Sequence, residues 1–406
     1  MGGAGGAMSF DTDIAVVGGG PVGLVTALLL ARDGFQVTLI EKSPELETDL
    51  RASTFHPPTL DMLERLGLAV ALIGQGLVCP QWQVRLHPDG DRVVFDLGIL
   101  KDATKHPYRV QCEQWKLSRA AHAALSQELR ATMLFGTEVT GLTADEDGVT
   151  LNLDGSAGKR KLRARYVVGA DGARSVVRRA LGLEFEGETY PETTLLVTTI
   201  FPFEEHLEGL TNIAYCWKEN GNFSLLRVPG RWRVSIYPRE DIAVEEQLTE
   251  SAVEAQLQTI VARPERYEVI EKRPYRVHKR IVPHYHRGRV ALAGDAAHVN
   301  SPAGGMGLNG GIHDAFALAA ALHDIRDGAP LAARLDLYER RRRPVALEQI
   351  IAQADANRAR MREKDPTKRR EILAGLKAIV ADRERLEAHL LRTSMIAGLR
   401  QAAAVT

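Results

Sequence analysis

The chain has 406 residues, with 52 basic and 52 acidic side chains and a formal net charge of zero. That balance gives no bulk attraction for nucleic acid or an anionic membrane surface. Hydrophobic residues at 45% and charged residues at 26% exclude a disordered chain and fit a globular protein of more than one domain.

The leading Met1–Ala7 is Gly/Ala-rich and lacks the basic and apolar segments of a signal peptide, so it reads as a tail, with Met8 a candidate start. Asp13–Val17 is a β-branched apolar run. Glycines follow, then an apolar helical stretch, Val22–Arg32, closed by Gly34, then a second apolar strand, Val37–Ile40. Strand, glycine turn, helix and strand make a parallel βαβ unit. Leu60, Leu63, Leu66 and Val70 share helical spacing and predict one helix over Leu60–Leu72. Gln81–Leu97 alternates on either side of a His87–Gly90 turn and predicts a hairpin. Trp115–Leu129 reads as a helix, Val139–Leu153 as a second hairpin, and Tyr166–Val168 as a short buried strand.

From Glu184 to Arg276 the pattern changes. Alternating runs at Leu195–Phe201, Phe223–Val228 and Trp232–Tyr237, broken by Asn220-Gly221 and Pro229-Gly230, predict an inserted antiparallel sheet. Arg289–Ala293 is again a buried strand, followed by a glycine-rich loop and a helix, Gly311–Asp324. Beyond Tyr338, Leu and Ile recur among charges and predict long helices. The longest apolar run, Ala315–Leu322, is far shorter than the ~20 residues a membrane-crossing helix needs. Cys79, Cys112 and Cys216 are scattered, without CxxC spacing, which argues against a disulfide framework or zinc site and fits a reducing cytoplasm.

Gly18-Gly19-Gly20-Pro21-Val22-Gly23 sits directly after the first strand and opens the first helix. Gly18 permits the tight turn, Gly20 lets a pyrophosphate approach the backbone, and Gly23 lets helix and strand pack closely. The helix N-terminus offers free N–H groups to phosphate. Glu41, ending the second strand, can accept hydrogen bonds from ribose hydroxyls, with Lys42 beside it.

Two further loops follow strands: Gly169-Ala170-Asp171-Gly172, and Ala293-Gly294-Asp295 continuing to Pro302-Ala303-Gly304-Gly305-Met306-Gly307-Leu308-Asn309. With the first motif, and in the same order and spacing from about Asp11 to Asp324, they resemble the p-hydroxybenzoate hydroxylase-like, single-component (class A) FAD-dependent aromatic monooxygenases. The resemblance implies an α/β fold: a Rossmann-like FAD-binding domain, an inserted mainly antiparallel substrate domain and C-terminal helices. We divide the chain accordingly into 8–75, 101–180 and 276–330 for FAD, 76–100 and 181–275 for substrate, and a helical 331–406.

It also implies site roles. Asp295 would hold the ribityl chain, and Gly305, Gly307, Leu308 and Asn309 would face the flavin pyrimidine end. Pro302 would lie at the reactive edge of the ring. Asp171 and Arg178 would serve the pyrophosphate and nicotinamide region, while Arg51 and Gln111 match cofactor-contacting positions. His298 is a candidate proton relay, and Tyr215, Phe223, Arg227 and Tyr237 are candidates for the substrate side. His284 and His286 could pair on a metal, and Arg340–Arg343 is a basic run whose acidic flanks favour internal pairing.

The implied reaction takes electrons from NADH or NADPH, forms a C4a-hydroperoxyflavin with O2, and hydroxylates a small aromatic or heteroaromatic substrate. A reductase of the same fold and a flavin-holding sensor are the alternatives, and a homodimer stays open. The Trp-x-Trp-x-Ile-Pro signature of flavin halogenases is absent.

Overall fold

The computed structural model describes residues 9–48, 52–219, 221–237 and 242–406, with Pro191 and Glu192 described in backbone only. The Met1–Ala7 tail, Arg51 and Asn220 lie outside these residues.

The first sheet has eight strands, of which five are parallel, in the order Val290–Leu292, Arg160–Gly169, Thr12–Val17, Val37–Ile40 and Ala131–Leu134, with His286–Arg287 antiparallel beside Val290–Leu292. Their apolar residues are buried on both faces, as a parallel sheet covered by helices requires. Helix Pro21–Arg32 packs against helices Gln114–Leu125 and Gly307–Arg326. Strands Thr137–Ala144 and Val149–Gly155 form the predicted second hairpin, which pairs antiparallel with the first half of Arg160–Gly169.

The second sheet has eight strands: His298–Val299, Val269–Ile281, Glu186–Thr199, Arg231–Ile236, Gly221–Val228, Ile213–Lys218, Gln81–Leu86 and Arg92–Asp96. All its pairings are antiparallel except Ile213–Lys218 with Gln81–Leu86. Side-chain alternation splits it into two faces. Ala214, Cys216, Phe223, Leu225, Trp232 and Val234 pack beneath helix Glu250–Gln258. Ile213, Trp217 and the flanking Trp82 and Phe95 pack instead with Met361, Leu373, Leu376 and Leu390 of the C-terminal helices.

The single helix expected over Leu60–Leu72 is two helices, Pro57–Glu64 and Ala69–Gln75. Gly67 takes φ +74 between them, and Leu68 N–H turns back to the Leu63 carbonyl, a glycine C-cap that periodicity alone hides. The helix expected from Gly311 begins earlier, at Gly307, inside the glycine-rich loop. In the tail, Pro344 sits inside helix Leu331–Val345 and lacks the N–H of a normal turn; the chain continues as a π-helical turn, Ala346–Ile351, before helix Ala352–Met361. No helix among the described residues is long and apolar enough to cross a membrane.

Candidate active site

The three loops meet at the C-terminal ends of the parallel strands, where open α/β sheets bind ligands. A Cβ on Gly18 would stand 2.4 Å from the Ala170 carbonyl oxygen, so the first and second loops touch through bare backbone. A Cβ on Gly23 would stand 1.9 Å from the Gly18 carbonyl oxygen. Val22 wedges against Gly294 and Gly311, joining the first loop to the third. Arg178 completes the triangle: its Nη2 donates to Ala173 O at 2.7 Å and its Nη1 to Ala296 O at 3.0 Å. Its guanidinium lies 3.8 Å from the Phe185 ring centre and the residue is buried. Arg178 is thus a brace between two loops, which corrects both its nicotinamide role and a solvated one.

The first glycine turn and its neighbours are equally specific. Gly20 would carry a Cβ into open space, with nothing within 4 Å, and Pro21 occupies the first turn of the helix. Glu41 Oε2 accepts from Gly19 N at 2.6 Å and its Oε1 from Ser43 N at 2.8 Å, so its carboxylate faces the glycine turn. Lys42 is exposed beside it. Asp171 Oδ2 accepts from Val176 N and Val177 N at 2.7 and 3.2 Å, while its Oδ1 is buried without a protein partner. Burial pushes the Asp171 carboxyl up, against hydrogen bonds that pull it down. Asp295 is exposed on the turn Gly294–Ala296. The glycine backbone and the neighbouring carboxylates fit a dinucleotide.

The third loop is held from behind. Asn309 is fully buried; its Oδ1 accepts from His56 N at 2.9 Å and its Nδ2 donates to Thr54 O and Gly305 O at 2.8 and 2.7 Å. The side chain of Asn309 therefore braces the loop, leaving its backbone N–H, with those of Gly307 and Leu308, in the helix's unpaired first turn. His56 Nε2 bonds Gly304 O at 2.8 Å. Burial, with Arg109 nearby, holds His56 well below its usual range, so it stays neutral and donates there. Gln111 Nε2 donates to Thr54 Oγ1 at 3.1 Å, and Thr54 lies directly under Gly305. Pro302 is exposed in the turn closed by Gly305 N to Pro302 O.

His298 is not on the cleft. Its side chain has no exposure, its Nε2 bonds Asp314 Oδ2 at 2.9 Å, and it stacks on Tyr285. Its proton-relay assignment is corrected to a structural one: it anchors Asp314, whose Oδ2 also accepts from Gly294 N at 3.1 Å.

A narrow pocket of about 10 Å³ lies on the loop face of the second sheet, lined by Trp82, Arg109, Tyr215, Gly304, Met306, Asn357, Arg360 and Thr393. Tyr237, one residue past the last described strand position, sits within electrostatic reach of Tyr215, and burial raises its hydroxyl to about 12. Phe223 and Arg227 have the opposite parity. Phe223 is buried beneath helix Glu250–Gln258, and Arg227 pairs with Glu204 and lies over Trp232. Both are corrected to the far face. Sequence reasoning missed Arg109, His56, Thr54 and Arg360; a charged residue heading the buried strand Arg109–Gln111 was the one available signal. A larger groove of about 460 Å³, lined by residues such as Arg85, His87, Arg92 and His206, includes none of the loop residues.

The remaining candidates settle into ordinary pairings. His284 and His286 meet Glu339 and Asp336, and no His/Cys/Asp/Glu metal cluster occurs among the described residues. In the basic run, Arg342 pairs with Asp314, and Arg340, Arg341 and Arg343 donate to backbone carbonyls.

Residues 11–354 match the family described as FAD binding domain, and the chain belongs to it. It is an FAD-dependent aromatic monooxygenase with NAD(P)H as co-substrate, and the reductase and sensor alternatives are not favoured. It is 33% identical over 391 residues to the para-nitrophenol 4-monooxygenase of Pseudomonas sp. (strain WBC-3), covering 95% of this chain and 96% of that protein. The crystal structure of p-nitrophenol 4-monooxygenase PnpA from Pseudomonas putida DLL-E4 superposes with a TM-score of 0.89 at 33% identity, covering 97% of this chain and 99% of that one. A ternary complex of aklavinone-11 hydroxylase with FAD and aklavinone superposes with a TM-score of 0.77 at 28% identity, covering 88% and 70%.

Proposed function

We propose that the three converging loops hold FAD and that the pocket beside Gly304 and Met306 takes a small phenol for ring hydroxylation. The contact of all three loops carries this reading, with Gly20 open where a pyrophosphate would approach. In it, Gly18 to Gly23 and the N-terminus of helix Pro21–Arg32 bind pyrophosphate, Glu41 takes the adenosine ribose, and Asp295 takes the ribityl chain. The N–H groups of Gly307, Leu308 and Asn309 meet the pyrimidine end, where a helix N-terminus favours negative charge. Bound FAD supplies two-electron reduction by NAD(P)H and activation of oxygen. The chain's own part is to orient the ring and keep water out, with Pro302 at the loop edge and Tyr215 and Tyr237 on the sheet face.

The first sheet with its helices forms the cofactor part, and the second sheet the substrate part. The three buried, unpaired cysteines support a reducing cytoplasm. The likeness to a para-nitrophenol 4-monooxygenase along nearly the whole chain supports a para-substituted phenol. Purified protein incubated with NADH or NADPH, 4-nitrophenol and ¹⁸O2 tests this: the label is expected in a catechol if a ring hydrogen is replaced, or in a quinone or its hydroquinone, with nitrite released, if the para carbon is attacked. Substrate-stimulated NAD(P)H oxidation without label in any catechol, quinone or hydroquinone would reject ring hydroxylation.

A further inference from the structure

The far face of the second sheet carries a recess of its own, the groove of about 460 Å³ that none of the three loops lines. Its size suits a small organic molecule rather than a bare ion. Two cations meet in it. Arg85 and Arg92 stand directly opposite each other where strand Gln81–Leu86 pairs antiparallel with Arg92–Asp96. Like charges in that register repel, so the hairpin carries a local destabilisation. Arg85 also stands beside Cys216, which places it on the face of the sheet that holds Phe223.

The fold neutralises neither arginine. Arg85 is 4% exposed; its Nη1 donates to the Glu208 carbonyl at 2.8 Å, and its Nε is buried without a partner. Arg92 donates from Nη1 to the Gly90 carbonyl at 3.2 Å and lies over Gly209, where any Cβ would collide with its guanidinium. Among the described residues, neither makes an ion pair with a carboxylate. Asp89 and Glu208 also line the groove, but both are exposed. Elsewhere the fold pairs a buried arginine directly, as with Arg342 and Asp314 at 2.7 Å. A buried guanidinium without a counter-charge is destabilising, because its lost hydration is not replaced. Next to the two cations the lining turns aliphatic, with Leu207, Ile260 and Val261.

We infer that this groove binds a small organic anion, its one phosphate or carboxylate group held between Arg85 and Arg92 and its apolar part laid on Leu207, Ile260 and Val261. Planar guanidinium donors match either oxyanion, and the charge-assisted bond is about twice as strong as a neutral one. The exposed Asp89 and Glu208 would repel a polyphosphate, so a single anionic group suits the site. The groove is separate from the pocket beside Gly304. Arg85 alternates with Trp82 and Val84 along one strand, so the two recesses share that strand and open on opposite faces of the sheet.

The test is calorimetric titration of the FAD-loaded enzyme with hexyl phosphate, hexanoate and hexanol, which share one chain length. At least one of the anions is expected to bind about ten-fold or more tightly than the alcohol. Tighter binding of hexyl phosphate assigns a phosphate group, tighter binding of hexanoate a carboxylate, and equal binding of the two a site for either. Arg92, only half-buried, is the residue to vary. Arg92→Gln is expected to weaken the anion at least about ten-fold and Arg92→Lys to keep part of its affinity. Tyr215→Ala, on the opposite face, should leave it within about two-fold. Should Arg92→Gln fail to fold, the three ligands on the wild type and on Tyr215→Ala still decide. Alcohol bound as tightly as both anions, no binding by any of the three, undiminished binding in Arg92→Gln, or loss of binding in Tyr215→Ala overturns the proposal.

Discussion

Arg342 Nε lies 2.7 Å from Asp314 Oδ1, and both side chains are almost wholly out of solvent. The other oxygen of Asp314 holds His298 and the backbone of Gly294, so one carboxylate ties helix Leu331–Val345 to the turn that presents Asp295. Burial alone would raise the Asp314 carboxyl, but Arg342 and His298 hold it down to about 2. Removing one partner leaves the other charge stranded. Asp314→Asn is expected to lower unfolding stability in urea by about 3–5 kcal/mol and to weaken FAD retention. Unchanged stability would mean the pair is dispensable.

Gly20 separates folding from binding. Its φ of −72 suits any residue, and a side chain there meets no protein atom within 4 Å. Gly20→Val should therefore leave the melting temperature of the FAD-free protein close to wild type while raising the Kd for FAD at least about ten-fold. Equal FAD affinity would move the pyrophosphate elsewhere.

Asp295 is exposed on its turn, and in the proposed site its carboxylate takes the ribityl hydroxyls. A hydrogen bond to a charged group contributes about 1.5–3 kcal/mol, so Asp295→Ala should weaken FAD binding by roughly ten-fold to a hundred-fold. Fluorescence titration of the apoprotein measures it.

Acid should destabilise the fold well before its carboxylates titrate. Burial, then Arg342, holds His313 down to about 3. The unfolded histidine titrates near 6.5, so below that pH the unfolded state binds the extra proton. Stability is then lost by about 1.4 kcal/mol per pH unit for this group, until the pH nears its folded value. His389 acts in the same direction. Urea midpoints should fall from pH 7 to pH 5, and less steeply in His313→Gln, which can keep the bond to Thr59 that His313 Nε2 makes at 2.9 Å. Parallel profiles would exclude His313 as the source.

The two faces of the second sheet should answer differently to mutation. Arg227→Gln and Phe223→Leu lie on the far face and should leave substrate Kd within about two-fold, whereas Tyr215→Ala should weaken it about ten-fold or more. Equal effects from both faces would contradict the alternation.

The cofactor loops were legible because each follows a buried strand and writes its geometry in consecutive residues, as in Gly18–Gly23 and Gly169–Gly172. The substrate side was not. Tyr215 and Phe223 look alike as aromatic residues in alternating strands. Which face meets the loops depends on pairing: Tyr215 stands opposite Ser224, and Phe223 opposite Cys216. Arg109 and Arg360 meet only in three dimensions, and His298 looked catalytic because it follows a glycine loop, although its carboxylate partner comes from the helix behind it.

The order of these parts along the chain has a consequence for biosynthesis. The last of the three loops ends by Asn309, but the pocket wall closes only with Arg360 and Thr393. As the polypeptide leaves the ribosome N-terminus first, the nucleotide grip is synthesised about eighty residues ahead of the final piece of the substrate chamber. A nascent chain halted in that interval holds every loop of the grip while its reaction chamber still lacks a wall.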